Sequence, residues 1–209
     1  MVRARESVAY HRPMPTRPTH VPSPRRRARA AAPTVAVVVS RYNASVTDAL
    51  LEGALAAYAA RGGRRDDVRV VPAPGSYELP ALALAAARTG RFAGVVALGC
   101  LIKGETSHDR HIAAAVASGL VQVTIATGVP ATFGVLTVDT PAQAAARSGG
   151  SKGNKGADAM HALLDVIAEV EHLHERNARR SAPAKGAPGF AGRRLPDKAA
   201  RTPASARRG

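Results

Sequence analysis

The chain has 209 residues, with 30 Lys and Arg against 15 Asp and Glu, and a formal net charge of +15. That charge sits at the ends: residues 1–33 hold eight Arg and one Glu, residues 175–209 hold ten Lys or Arg and two acids, and the middle carries 12 of each sign, so the high pI says nothing about the chemistry of the middle. No run of 18 apolar residues exists to span a membrane, no apolar stretch near the N-terminus suggests a secretory signal, and one cysteine, Cys100, excludes an intrachain disulfide and suits a reducing cytoplasm.

In chain order, residues 1–33 are rich in Arg and Pro and poor in core-forming side chains, so they are expected to be a disordered basic tail. Their six prolines argue against the amphipathic helix of a mitochondrial signal. The β-branched run Val35-Ala36-Val37-Val38-Val39 predicts a strand covered on both faces. Asn43 and Ser45 offer helix caps, and Leu50, Leu51, Ala54, Leu55 and Tyr58 then recur at helical spacing as far as Arg61-Gly62-Gly63. Val68 to Val71 predicts a second strand, Glu78 to Ala87 a helix, and Gly94 to Gly99 a third strand. A helix is expected from about Ser107 to Ser118, a further apolar β segment from Val121 to Ile125, and a last strand from Phe133 to Thr137. A short helix through Ala142–Arg147 and a long one from about Asn154 to His174 follow, and residues 175–209 are expected to form a second disordered basic tail.

Strands alternating with helices over short connections predict an α/β domain over 34–174, with a mainly parallel four-stranded sheet wrapped by helices on both faces. Ligands of such sheets bind beyond the carboxyl ends of the strands. The loops there hold nearly all the unusual residues of the middle. They are Arg41-Tyr42-Asn43, Pro74-Gly75-Ser76-Tyr77-Glu78-Leu79-Pro80, the run from Gly99 to His108, and the set Gln143, Arg147 and Gly153-Asn154-Lys155-Gly156.

With those loops in order, the chain resembles the lumazine synthase family across about 34–173. The family's motifs are an aromatic followed by Asn, P-G-(A/S)-(F/Y)-E-(I/L)-P, G-x-x-I-(R/K)-G-x-T-x-H, F-G-V-L-T, Q-A-x-x-R and N-K-G, and all are present in register. The resemblance implies a three-layer, flavodoxin-like sandwich. It also implies a transferase of riboflavin biosynthesis that joins 5-amino-6-(D-ribitylamino)uracil to 3,4-dihydroxy-2-butanone 4-phosphate without a cofactor. The product is 6,7-dimethyl-8-ribityllumazine, with loss of phosphate and water.

The same resemblance assigns roles. Tyr42 would stack on the pyrimidine, with Phe133 coming from a neighbouring subunit; stacking contributes on the order of 0.5–1.5 kcal/mol beyond area burial. Asn43, Gly75, Ser76, Tyr77, Glu78, Cys100, Leu101 and Ile102 would run along the ring and ribityl chain, with Glu78 accepting from ribityl hydroxyls and Ser76 and Ile102 reading ring edges by backbone. Thr106 and the backbone of Glu105 would meet the phosphate at a helix start, where N–H groups favour anions. Arg147 would complete that site, a bidentate guanidinium suiting phosphate, and Lys155 would help hold it. His108 would move protons, a role suited to a group near its own pKa. A pentamer or a 60-subunit shell is implied, with riboflavin synthase as a candidate partner.

Three sharper readings carry less. His108 and His111 lie three apart but lack a third or fourth metal ligand, so no metal is expected. Cys100 ends an apolar strand with no base beside it, which suits a packed thiol better than a nucleophile. The two basic tails would bind nucleic acid weakly and nonspecifically by counterion release, or serve only to solubilise. The chain also departs from the family: Asp109-Arg110-His111 follows the histidine where an aromatic, an acid and an aromatic are common, and Arg25 to Pro33 make a poor strand. A non-catalytic flavin- or phosphate-binding module on the same fold stays open at this point.

Overall fold

The computed structural model describes residues 32–181; the expectations placed on residues 1–31 and 182–209 lie outside the described residues. Four strands, β1 (Val35–Ser40), β2 (Val68–Ala73), β3 (Gly94–Ile102) and β4 (Ala131–Val138), form one parallel sheet in the order β2-β1-β3-β4. Between and after them run α1 (Ala44–Ala60), α2 (Leu79–Arg88), α3 (His108–Thr127), α4 (Pro141–Arg147) and α5 (Lys155–Ser181), while β5 (Ser148–Gly150) and β6 (Gly153–Asn154) make a small antiparallel pair. The sheet and its helices belong to a unit that extends through Ala168; the end of α5, from Glu169, is a second unit.

The period of two along each strand divides the core into two layers. Val35, Val37 and Val39 of β1, with Val96, Leu98 and Cys100 of β3, pack with Leu50 and Tyr58 of α1 and with Met160 and Leu163 of α5. The alternate residues Ala36, Val38, Val95, Ala97 and Leu101 pack with Leu79 and Ala83 of α2 and with Val116, Leu120 and Val123 of α3. Helices thus cover both faces of the sheet, as the continuous valine run of β1 requires. The architecture is the expected three-layer, flavodoxin-like α/β arrangement. Pro72 lies in β2, an edge strand, where a missing N–H is tolerated.

Two expectations on element limits fail. Val121–Ile125 is not a strand: α3 continues through it to Thr127 and stops at Gly128, which has φ 71°. β-Branched residues favour strands only weakly, and here the helical spacing of Val116, Leu120 and Val123 places three side chains in the core. The same turns leave Val121 and Ile125 outside, 56% and 71% exposed. At the other end, α5 runs past His174 to Ser181, since Glu175, Arg176, Asn177, Ala178, Arg179 and Arg180 contain no helix breaker.

The join between α1 and α5 is built around Asn154. Its Nδ2 donates to the carbonyls of Ala49 (2.7 Å) and Ser148 (3.2 Å), and its Oδ1 accepts from the N–H groups of Gly156 (2.9 Å) and Ala157 (3.1 Å), as a helix cap does. Gly156 is required beside it, because a Cβ there would run into the backbone carbonyl of Leu50. Asn154→Ala removes the cap and strips donors from two part-buried carbonyls. The expected loss is about 2–4 kcal/mol of unfolding free energy, read as a lower urea midpoint with an unchanged m-value.

Candidate active site

The carboxyl ends of β1, β2 and β3 are closed by loops whose shape the sequence explains residue by residue. Asn43 has φ 60°, the only positive φ of a non-glycine residue among those described, a region that Asn visits more readily than most. It precedes α1 without capping it by side chain. Its Nδ2 instead donates 2.9 Å to the carbonyl of Cys100, tying the β1 loop to the end of β3. The Gly75 N–H donates 2.9 Å to Oε2 of Glu78, which folds the Pro74–Glu78 turn on itself. A Cβ on Gly75 would sit 3.0 Å from that oxygen.

These loops and the start of α3 enclose a cavity of about 530 Å³. Tyr42, Asn43, Gly75, Ser76, Tyr77, Glu78, Cys100, Leu101, Ile102, Thr106 and His108, all singled out in the sequence, line it. Tyr42 and Tyr77 present their rings to solvent, 71% and 65% exposed. His108 opens α3 and is itself exposed, its N–H 3.4 Å from Oγ1 of Thr106. Glu105 is exposed in the preceding loop and is not among the lining residues. His111 sits 3.3 Å from Ser107 Oγ by its Nε2, and no group of three or more metal-ligating side chains occurs among the described residues.

Cys100 contributes to the core rather than to chemistry. Its side chain is fully buried, and burial raises the thiol pKa from 9.0 to about 11. A thiol held protonated in the fold stabilises it below pH 9, and that stability is lost as pH rises through about 11. Iodoacetamide at pH 8 is therefore expected to alkylate Cys100 far more slowly in the native chain than in urea; equal rates would show an accessible thiolate.

The remaining sequence-predicted residues gather elsewhere. Phe133, Arg147 and Lys155 line a second cavity of about 640 Å³ along β4, with Thr132, Asp158 and Ala162. The two cavities have no lining residue in common. Thr140 caps α4 by accepting from Gln143 N–H (3.2 Å), and Gln143 Oε1 accepts from Asp139 N–H (3.0 Å), so the two side chains close the first turn from both sides. Arg147 stands one turn later, its Nη1 donating 3.2 Å to the Gln143 carbonyl, where a cation favours the helix dipole. Lys155 pairs with Asp158 at 2.7 Å. Phe133 is 43% exposed. Sequence reasoning missed Gly104, Asp109 and Ile112 in the first cavity and Thr132 and Asp158 in the second. Two of these left a signal, Gly104 as the second glycine of the motif ending at His108 and Asp109 as the unexpected residue after it.

The model of the 6,7-dimethyl-8-ribityllumazine synthase family matches residues 32–171. The chain belongs to that family. It is similar to 6,7-dimethyl-8-ribityllumazine synthase 1 of Caulobacter vibrioides, 46% identical over 143 residues that cover 68% of this chain and 94% of that protein. It is also similar to the Thermus thermophilus synthase, 46% identical over 139 residues (66% of this chain, 88% of the other), and to that of Xylella fastidiosa, 42% over 137 (66% and 89%). The matched region coincides with the sheet and its helices, and both cavities lie within it.

Proposed function

We propose that the chain condenses 5-amino-6-(D-ribitylamino)uracil with 3,4-dihydroxy-2-butanone 4-phosphate to give 6,7-dimethyl-8-ribityllumazine, phosphate and water, at a site that two copies of the chain complete together. The observation that carries the reading is the division of the site residues into two cavities. Ring- and ribityl-facing loops meet His108 in one, while the aromatic Phe133 and the cations Arg147 and Lys155 lie in the other. Neither half suffices for the reaction. One has the general acid–base without the bidentate phosphate cation, and the other has the reverse.

In this arrangement Tyr42 stacks on the pyrimidine, joined by Phe133 from the next copy. The loop from Gly75 to Glu78 follows the ribityl chain, and backbone at Ile102 reads the ring. Thr106 and the α3 start receive the phosphate, with Arg147 of the neighbour closing on it. The amine and the carbonyl of the ketose phosphate condense to an imine with loss of one water, phosphate leaves C4 by elimination, and ring closure onto the second carbonyl expels a second water. His108 gives and takes the protons of these steps. Exposed Val121, Ile125 and Phe133 supply apolar area for such an assembly, which we take to be a pentamer or a larger shell built from pentamers. No helix among the described residues is long and apolar enough to cross a membrane, and the buried, unpaired thiol suits the cytoplasm. The basic ends, mostly outside the described residues, would add weak salt-dependent affinity for nucleic acid, and riboflavin synthase, which consumes the product, is the candidate partner of the shell.

Purified chain incubated with both substrates is expected to form a species with lumazine absorbance and fluorescence. A folded preparation inert at saturating substrate would support instead a binding module on the same fold.

A further inference from the structure

We propose that Asp109 binds the aminopyrimidine substrate, its carboxylate accepting a hydrogen bond from a ribityl hydroxyl or ring N–H. This rests on the functional reading above and deepens it. Among the described residues, three shielded side-chain atoms have no hydrogen-bond partner: Ser76 Oγ, Asp109 Oδ1 and Thr132 Oγ1. All three residues line the two candidate half-sites, and Ser76 and Asp109 share the cavity with Tyr42 and His108. Shielded polar atoms are normally paired, so orphans confined to the cavities mark places where a ligand supplies the missing partner.

Asp109 is the charged one of the three. Its place in the first turn of α3 favours a carboxylate through the helix dipole, but a dipole fills no acceptor. Lys103 and Lys155 are engaged with Asp139 and Asp158. Glu78, the other carboxylate of the cavity, already spends Oε2 on the Gly75 N–H, which leaves Asp109 as the carboxylate with an uncommitted shielded oxygen. Its acceptor oxygen selects the ligand: a phosphate dianion has no hydrogen to donate, whereas a neutral pyrimidine with a polyol chain brings N–H and O–H donors. An aromatic ring, common at this position in the family, puts no carboxylate there.

The test titrates purified 6,7-dimethyl-8-ribityllumazine, which keeps the ribityl hydroxyls and ring N–H, onto full-length wild type, Asp109→Leu and Asp109→Asn, reading ligand fluorescence. Asp109→Leu is expected to raise Kd about tenfold or more, with Asp109→Asn intermediate because its amide oxygen still accepts. The KM for the ketose phosphate should change less than twofold. Asp109→Leu binding within twofold of wild type, with circular dichroism unchanged, overturns the proposal. So does unchanged Kd with an altered assembly size, which would assign the carboxylate to an interface between copies. Wild type that neither binds nor forms the lumazine would fail the functional reading itself, a result distinguishable from failure at Asp109 alone.

Discussion

His108→Ala is expected to lower kcat by about 10²–10⁴-fold, with little change in the KM of either substrate. His108 opens α3 with its backbone N–H 3.4 Å from Thr106 Oγ1, and it lines the cavity as an exposed residue. Imidazole is the side-chain type best suited to giving and taking protons within one reaction. Glu78 is committed to its own turn, and the Cys100 thiol is buried with its pKa pushed up to about 11. His108→Gln, which keeps hydrogen bonding and loses the titration, should be nearly as slow. Stopped-flow formation of lumazine under saturating substrates checks both. A kcat within threefold of wild type would remove His108 from the proton steps.

The second large effect is at Arg147. Its truncation to alanine is expected to raise the KM for 3,4-dihydroxy-2-butanone 4-phosphate by about 10²-fold or more, since breaking a guanidinium–phosphate contact costs on the order of 2–5 kcal/mol. The aminopyrimidine KM should scarcely move. Arg147→Lys should recover only part of the loss, because a point charge does not reproduce two parallel N–H···O bonds. The side chain is half-buried and held by the Gln143 carbonyl, which aims it. Equal KM increases for both substrates would contradict the assignment.

How far the sequence carried these conclusions varies by element. β1 was legible because five consecutive apolar residues, four of them the β-branched Val, suit a strand covered on both faces. The loops after β1, β2 and β3 were legible because their residues are costly anywhere but at a site. They combine an aromatic in a chain with three Phe, four Tyr and no Trp with glycines at close approaches. The C-terminal half of α3 was not. Val121-Gln122-Val123-Thr124-Ile125 has strand composition, and its helical state follows from tertiary packing of Val123 and from Gly128 after it, neither of which local pattern reveals.

Within the site, composition gave Asn43 as a helix cap, whereas its side chain crosses to Cys100 across 57 residues of sequence. A contact of that separation has no local signature. The same is true of Asn154, whose partner Ala49 lies 105 residues away. The N-K-G motif therefore has a structural half and a site half. Asn154 and Gly156 lock α5 onto α1, and Lys155 between them lines the β4 cavity. Lys155 variants should then alter phosphate handling without the stability loss expected of Asn154→Ala.

The division of the site between two cavities is best tested by mixing two variants that are each nearly inactive. His108→Ala and Arg147→Ala chains are unfolded together in equimolar amounts, refolded, and assayed for lumazine formation beside each variant refolded alone. If two copies share each site, about a quarter of the sites in random assemblies join an intact His108 cavity to an intact Arg147 edge. Activity then rises to roughly a quarter of wild type, far above either variant. Activity no higher than that of the better single variant would contradict the shared site and place both halves of the chemistry within one chain.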